Sequence, residues 1–306
     1  MDAEGLISTA TTVRQLIDAV NSMLSDADLY YGHGTDNAAD EAAALVFHVM
    51  SLDHAGAASQ YEIAVDEADR QAALRLAELR AGSRKPLAYL LGESWFCGLP
   101  FNVDERVLIP RSPIAELISD RFEPWLDATT VADVLEIGTG SGCIAIAAAL
   151  SLPTARVTAT DISPEALAVA ATNIERHGVS DRLALVQTDL VDGLTGTFDL
   201  IVSNPPYVPS PEMPELPAEF GHEPALGLVS GGDGLDSARR ILQDAPKLMH
   251  SGSVLVLEVG AQWQALEEAF PALPFIWLDF EYGGVGVALL HATDLGVTVG
   301  KTSVPS

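Results

Sequence analysis

Hydrophobic residues near the start of the chain recur at the spacing of amphipathic helices. Three such groups precede residue 85: Leu6, Val13, Leu16, Ile17 and Val20; Leu45, Val46 and Val49; and Leu74, Leu76 and Leu79. The second group follows Thr35-Asp36-Asn37, whose side chains can accept hydrogen bonds from the first turn of a helix. We therefore predict a helical domain over residues 1–84.

The pattern changes after Lys85 and predicts a β-hairpin. Two apolar segments, Trp95-Phe96-Cys97 and Phe101-Asn102-Val103, flank the sequence Gly98-Leu99-Pro100. Glycine and proline between apolar segments are typical of a hairpin turn. We expect residues 85–110 to form a hairpin that links two domains.

The rest of the chain alternates strand-like and helix-like segments. Predicted strands cover residues 132–137, 156–161, 183–188, 198–203, 253–259, 274–280 and 285–291. Helices fill the intervals, as at Pro164–His177, where Ser163 can cap the first turn. This alternation predicts the α/β class, with a doubly wound, mostly parallel seven-stranded sheet over residues 111–306. The short Glu281–Gly284 connection predicts an antiparallel pair at one end, and residues after about 292 are expected to fray.

The composition narrows the classes of protein to which the chain can belong. Of 306 residues, 48% are hydrophobic, which is enough for a packed core. The longest apolar run, Cys143–Leu150, is too short to cross a bilayer, and the first residues lack the basic segment of a secretory signal. Cys97 and Cys143 lie far apart, which argues against a zinc site or a disulfide framework. We expect a cytoplasmic protein that binds no metal.

The net charge of −27 predicts the kind of macromolecule that the protein can approach. Such a charge repels the phosphates of nucleic acids and attracts a basic protein. The alternative is that the acidity is a general trait of the source organism. On either interpretation, a direct complex with nucleic acid is not expected.

A glycine-rich turn follows the first predicted strand of the α/β region. The sequence runs from Glu136 through Gly138, Gly140 and Gly142 into a helix. Glycines let the backbone pass close to a ligand, and the helix start offers free N–H groups. The G-x-G-x-G spacing differs from the G-x-G-x-x-G of dinucleotide sites, so it favours a nucleoside. Tight packing of the strand on the helix is the structural alternative.

Acidic residues end the next two predicted strands. Asp161 can accept hydrogen bonds from both ribose hydroxyls, with helix capping as the alternative role. Asp189 can meet an adenine amine while Leu190 covers the ring, with a surface turn as the alternative. Because the carboxyl ends of such strands converge on one crevice, these residues predict a shared nucleoside site.

The fourth strand runs directly into Asn204-Pro205-Pro206-Tyr207, the most informative motif in the chain. Prolines fix the backbone, so the Asn204 amide oxygen and the Pro205 carbonyl become two rigid, adjacent acceptors. They can hold both hydrogens of a planar amide or amine, and the Tyr207 ring can lie against that plane. No His–Asp pair or pair of carboxylates stands beside the motif in the sequence. We predict that Asn204 also contacts the cofactor.

These motifs together resemble those of S-adenosylmethionine-dependent methyltransferases that methylate planar nitrogens. Over nearly its whole length the chain is similar to the bacterial protein-glutamine methyltransferases. The resemblance implies a class I, Rossmann-like methyltransferase fold behind a helical, substrate-recognising domain and a hairpin bridge. It also implies S-adenosylmethionine as cofactor.

Four segments are similar to the PrmB branch, whose members methylate one glutamine of the third large-subunit ribosomal protein: Tyr31–Asn37, Trp95–Gly98, Val103–Pro113 and His222–Pro224. The sister branch modifies peptide release factors and usually carries Pro-Arg-Pro-Glu-Thr-Glu after the hairpin, where this chain has Arg111–Glu116. The resemblance therefore favours the ribosomal protein as substrate, with release factors as the alternative. His33 is expected to pack between helices.

Three other functions remain open on sequence grounds. A methyltransferase for an exocyclic amine of nucleic acid would use the same four-residue motif, but only 16 basic residues are spread along the chain. A non-catalytic assembly factor would not need the glycine turn with Asp161 and Asn204. An oxidoreductase would need the dinucleotide spacing that the turn lacks.

Overall fold

The chain forms two compact units in the computed structural model, which describes residues 3–53, 56 and 58–298. The helical unit holds the described residues up to Ser94, together with Val103–Glu105 and Pro217–Glu223. The α/β unit holds Trp95–Asn102, Arg106–Leu216 and the described residues from Pro224 onward. The segment 217–223 thus belongs to the helical unit although it follows the fourth long strand in the sequence.

The helical unit contains five α-helices around an apolar core. They are α1 (Ala3–Thr9), α2 (Val13–Asp26), α3 (Ala38–Val49), α4 (Glu67–Ser83) and α5 (Leu87–Leu91), with a 3₁₀ helix at Ala58–Glu62. Thr12 caps α2 by accepting from the Gln15 N–H, which divides the first predicted group of hydrophobic residues between two helices. Asn37 caps α3 as predicted, accepting from the Asp40 N–H. Leu16, Val20 and Leu45 are fully buried in this core.

The buried face of α4 differs from the predicted one. Leu79 is 50% exposed, whereas Ala73, Ala77 and Arg80 are buried. The leucine spacing was misleading because the buried face of α4 consists of small residues and one arginine. The partners of that arginine lie elsewhere in the chain. The hydrophobic pattern located the helix but assigned its inner face incorrectly.

The hairpin is present with its turn one residue earlier than predicted. Strands β1 (Glu93–Phe96) and β2 (Leu99–Asn102) are joined by Cys97 and Gly98. Both turn residues have positive φ, 50° and 70°, which matches the two-residue turns that suit the right-handed twist of a hairpin.

The α/β unit is built on one seven-stranded sheet. Its strands are β3 (Asp133–Ile137), β4 (Arg156–Asp161), β5 (Leu183–Gln187), β6 (Phe198–Ser203), β7 (Met249–Glu258), β8 (Ile276–Trp277) and β9 (Val287–His291). The order is β5-β4-β3-β6-β7-β9-β8, parallel from β5 to β7 and antiparallel at β9 and β8. The predicted doubly wound sheet is confirmed, although the strand predicted at 274–280 has only two residues.

Helices and a continuous apolar core support this sheet. The α-helices are α6 (Ile114–Ser119), α7 (Cys143–Ser151), α8 (Pro164–His177), α9 (Ala225–Leu228), α10 (Asp236–Asp244) and α11 (Trp263–Ala269), with 3₁₀ helices at Met213–Glu215, Ala245–Leu248 and Gly260–Gln262. A further 3₁₀ helix, Ala218–His222, belongs to the helical unit. Ser163 caps α8 as predicted. Ile137, Ile201 and Leu257 are among the core residues on the central strands. Among the described residues, no helix combines the length and apolar character needed to cross a membrane.

The end of the chain remains in the core longer than predicted. Ala292 is fully buried, and Leu295 and Val297 pack against the same apolar cluster. Residues 299–306 of the predicted tail lie outside the described residues.

The order of the strands in the sheet determines where a binding crevice can form. The chain runs outward from β3 to β4 and β5, then returns to place β6 on the other side of β3. Such a reversal opens a crevice at the carboxyl ends of the strands. Ile137 pairs with Ser203, and Ser203 pairs with Leu257, so Gly138, Asn204 and Glu258 each follow directly at this edge.

Candidate functional site

A pocket opens at this edge, and its lining belongs entirely to the α/β unit. It is lined by all the predicted cofactor residues except Gly142: Glu136, Gly138, Gly140, Asp161, Asp189, Leu190 and Asn204. The segment from Arg106 to Ser112 lines it as well. Residues predicted from four separate strand ends therefore meet at one pocket.

The glycine turn leaves open space over its backbone. Gly138 and Gly140 have φ angles of 79° and 54°, and a Cβ added to either would meet no protein atom within 4 Å. Both glycines line the pocket, so a side chain there would take the space that a ligand could use. The turn is held by the Thr160 carbonyl, which accepts from the N–H groups of Gly138 and Thr139 at 2.9 and 2.8 Å.

Asp161 joins the glycine turn to the start of α8. Its Oδ2 accepts from the Gly140 N–H at 2.8 Å, and its Oδ1 accepts from the Ser163 N–H at 2.9 Å. Each carboxylate oxygen has a second lone pair. Asp161 can therefore shape the turn and still accept hydrogen bonds from a ligand.

Glu136 lies beneath the turn and is 2% exposed. Its Oε2 accepts from the Thr139 hydroxyl and, at 3.0 Å, from the Ala145 N–H. Burial raises the pKa of Glu136 to about 8, although these hydrogen bonds oppose the rise. Glu136 therefore connects the turn to α7 from inside the protein.

Asp189 is already engaged by a side chain that the sequence analysis did not consider. Nη1 of Arg240, on α10, lies 2.9 Å from both carboxylate oxygens of Asp189. The next residue, Leu190, has a φ of 55°, and its carbonyl accepts from the Thr160 hydroxyl at 2.9 Å. Arg240 and Thr160 thus fix the third strand end at the pocket.

Gly142 lies in a packing contact and does not line the pocket. A Cβ there would lie 3.2 Å from Cδ1 of Ile146 and 3.3 Å from Cβ of Ala170. This is the tight strand-to-helix packing that the sequence left open as an alternative. Gly142 is absent from the pocket lining, and its role in cofactor binding stays a prediction.

The Asn-Pro-Pro-Tyr motif is divided between the pocket and the protein interior. Asn204 and Pro206 line the pocket, whereas Pro205 is buried and Tyr207 is not part of the lining. The Tyr207 ring packs on the Gly260 backbone, where an added Cβ would be 2.7 Å from Cε2. Its hydroxyl lies 3.3 Å from Oε1 of Glu258, to which it donates.

Glu258 is the functional candidate that the sequence analysis missed. It ends β7, is 4% exposed, and accepts from the Ser112 hydroxyl through Oε2. Burial raises its pKa to about 7, although hydrogen bonds from Ser112 and Tyr207 and the charge of Arg111 oppose the rise. The signal was present, because Glu258 is an acidic residue at the end of an apolar strand, as Asp161 is.

The pocket fits a nucleoside cofactor such as S-adenosylmethionine. The open cradle over Gly138 and Gly140 gives room beside the backbone, and the carboxylate of Asp161 offers acceptors for ribose hydroxyls. Leu190 supplies an apolar surface for a base. This combination of a glycine cradle, an acceptor and an apolar wall suits a nucleoside better than a pyrophosphate.

His33 lies apart from this pocket, in the helical unit, and is 7% exposed. Its ring centroid is 4.6 Å from that of Phe220 and 5.8 Å from that of Tyr30. Nε2 is 3.3 Å from Oε2 of Glu223, and neither ring nitrogen has an aligned hydrogen bond within the described part of the chain. The histidine packs in the interior as predicted, against the 217–223 segment.

Comparison with known proteins identifies relatives over nearly the full length. Residues 119–251 match the family model described as "Methyltransferase small domain". Ribosomal protein uL3 glutamine methyltransferase of Neisseria meningitidis serogroup B is 44% identical over 93% of this chain and 94% of its own. The proteins of the same name from Francisella tularensis and Burkholderia pseudomallei are each 43% identical, over 95% and 94% of this chain and 94% and 97% of their own.

Solved structures agree on the fold. The catalytic domain of hMettl16 in complex with a MAT2A 3′UTR hairpin superposes with a TM-score of 0.52 at 19% identity, covering 76% of this chain and 84% of that one. At this identity the likeness shows a shared methyltransferase fold alone.

Proposed function

Because this chain belongs to the family of ribosomal protein uL3 glutamine methyltransferases, we propose that it methylates the side-chain amide nitrogen of one glutamine in uL3, with S-adenosylmethionine as methyl donor. The observation that carries the proposal is that Asn204 lines the same pocket as Gly138 and Asp161. We call the Asn204 amide oxygen and the Pro205 carbonyl, the two acceptors for a planar nitrogen, the clamp. The clamp then lies beside the glycine turn that would bind the nucleoside. The action would take place in the cytoplasm.

We assign cofactor binding to the residues around the glycine turn. Gly138 and Gly140 would hold the nucleoside against the backbone, and Asp161 would accept from the ribose hydroxyls. Asp189 and Leu190 would meet the base, with the Asp189 carboxylate oriented by Arg240. When bound, S-adenosylmethionine supplies an electrophilic methyl group attached to a sulfonium.

Asn204 and Pro205 would orient the target nitrogen. An amide nitrogen is a poor nucleophile because its lone pair is delocalised into the carbonyl. The Asn204 side-chain oxygen and the Pro205 backbone carbonyl would accept its two hydrogens, which aligns the nitrogen and favours the positive charge that develops on it. Pro206 lines the pocket beside Asn204 and would bound the space that the glutamine side chain enters.

Tyr207 would complete the clamp by closing one side of the amide plane. Its ring is held against Gly260 and its hydroxyl by Glu258, so its position is set before any substrate arrives. Once the methyl group has transferred, the nitrogen's proton is acidic enough to leave to water. No general base is needed before that step.

Replacing Asn204 by alanine tests the assignment. The Asn204→Ala variant should bind S-adenosylmethionine with nearly unchanged affinity and lose most turnover, on the order of 100-fold or more, because the amide loses its alignment. Radiolabelled methyl transfer to purified uL3 measures turnover, and titration calorimetry measures affinity. Asn21→Ala, on α2 of the helical unit, is the matched control and should retain both. Near-normal methylation by Asn204→Ala would refute the clamp.

A further inference from the structure

Glu258 stands beside the clamp, and the proposed reaction gives it no contact with the substrate. It follows Leu257, which pairs with Ser203, so it lies next to Asn204 at the edge of the sheet. Only 4% of Glu258 is exposed. A carboxylate in such a place loses most of its hydration, which is unfavourable unless hydrogen bonds replace the lost water.

Two hydroxyl groups supply those hydrogen bonds. Oε1 accepts from Tyr207 at 3.3 Å, and Oε2 accepts from Ser112. The Ser112 Oγ in turn accepts from the Ile114 N–H at 3.2 Å. Glu258 therefore connects three segments: the motif after β6, the end of β7 and the segment before α6.

The surroundings of Tyr207 restrict it to one position. A Cβ at Gly260 would lie 2.7 Å from the ring, and a Cβ at Gly234 would lie 2.3 Å from the Tyr207 carbonyl oxygen. The ring and the backbone of Tyr207 thus rest on two glycines. The hydroxyl, the remaining end of the side chain, meets Glu258.

We propose that Glu258 is a positioning residue, whose carboxylate fixes Tyr207 and Ser112 and thereby holds the Asn204–Tyr207 turn in the geometry that receives the target amide. The proposal rests on the proposed function of that turn. Glu258 is buried and both of its carboxylate oxygens accept from protein hydroxyls, so it acts through Tyr207 and Ser112 and not on the substrate.

Protonation of Glu258 should weaken its hold on Tyr207 and Ser112. The ionised carboxylate accepts from both hydroxyls, whereas a protonated one becomes a donor on one oxygen and must reverse one hydrogen bond. The charged group that faces it is Arg111, which favours ionisation, and the other titratable neighbour is Tyr207. Burial places the pKa of Glu258 at about 7, so turnover should rise with pH through neutrality.

A double-mutant cycle tests the proposal with purified full-length protein and uL3. Tyr207→Phe and Glu258→Gln should each lower kcat on the order of tenfold, with cofactor affinity unchanged, because the turn loses its alignment. The kcat of the double variant should lie within about twofold of that of the less active single variant, since both substitutions remove the same interaction. Glu258→Gln should also lose the rise of kcat around pH 7. Glu267→Gln, an exposed residue of α11, is the matched control.

Three results would overturn the positioning role: independent, multiplying losses in the cycle, a wild-type pH profile in Glu258→Gln, or wild-type kcat in that variant. Should Glu258→Gln fail to fold, Ser112→Ala and Tyr207→Phe are tested in its place, and each should shift the pH inflection. If the wild-type protein does not methylate uL3, the proposed function fails. The positioning role is then judged from the crystal structure of Glu258→Gln, where an unmoved Tyr207 and Asn204 would refute it.

Discussion

At the scale of single residues, Asp161 shows how one carboxylate can serve both structure and binding. Its two oxygens accept from the N–H groups of Gly140 and Ser163, which draws the glycine turn against the start of α8. The same side chain lines the pocket. Removing it should loosen the turn and also delete the acceptor for the ribose.

Asp161→Ala should therefore raise the dissociation constant of S-adenosylmethionine by about tenfold or more, since hydrogen bonds to a charged group contribute about 1.5–3 kcal/mol. Titration calorimetry measures the change directly. Asp181→Ala, an exposed residue between α8 and β5, is the control and should bind as the wild type does. If both variants bind equally well, Asp161 has only a structural role.

The positions of site residues could be predicted from the sequence where the end of a strand alone determines them. Gly138, Asp161 and Asn204 end parallel strands, and the sheet brings them together whatever their rotamers. Gly142 and Tyr207 were less predictable because packing against Ala170 and Gly260 decides where they lie. Such contacts join segments far apart in the sequence and leave no local pattern.

At the scale of elements, the turn between β3 and α7 depends on a buried acid. Glu136 bonds to Thr139 and Ala145, and burial raises its pKa to about 8 from an ordinary value of 4.5. In that pH interval the folded protein holds a proton that the unfolded chain has released. The free energy of unfolding should therefore fall as pH rises from about 5 to about 8.

Glu136→Gln removes this contribution. Between pH 5 and pH 8 the free energy of unfolding of the wild type should fall, relative to that of the variant, by on the order of 2–4 kcal/mol, because the variant carries no charge to bury. Urea unfolding of the cofactor-free protein at several pH values measures the change. Glu175→Gln, exposed on α8, should follow the wild-type curve. Parallel curves for Glu136→Gln and wild type would contradict the assigned pKa.

The 217–223 segment is attached to the helical unit by buried ion pairs. Glu219 is fully buried, lies 3.5 Å from Nη1 of Arg80 and 3.1 Å from Nη2 of Arg84, and accepts from the Tyr30 N–H at 2.9 Å. Arg80 also pairs with Glu41. Cutting one partner from such a cluster leaves buried charge without compensation.

Glu219→Ala should therefore destabilise the helical unit by about 3 kcal/mol, seen as a lower urea midpoint. The exposed Glu215→Ala in the same connection should have little effect. A Glu219→Ala midpoint equal to that of Glu215→Ala would show that the cluster is not stabilising.

Elements were predicted well wherever the pattern is local. The main parallel strands and the capped starts of α3 and α8 followed from alternation and from capping residues. The place of segment 217–223 did not, because its partner Arg80 is 139 residues away from Glu219. A buried arginine on α4 also contradicts the rule that apolar residues mark the inner face.

At the scale of the whole molecule, the net charge indicates the kind of partner. The chain has 43 acidic and 16 basic residues, which repel a nucleic acid and attract a basic protein. A protein that binds ribosomal RNA must itself carry positive charge. The acidity therefore suits a ribosomal protein substrate.

The most direct test is to incubate the purified protein with S-adenosylmethionine and either uL3 or ribosomal RNA. Methylation is mapped by peptide mass spectrometry of uL3 and by nucleoside mass spectrometry of the RNA. We predict one added methyl group on the side-chain amide of a single uL3 glutamine, none on RNA, and a rate lowered on the order of 100-fold or more with Asn204→Ala. Methylated RNA, or uL3 unmodified by an enzyme that binds the cofactor, would contradict it.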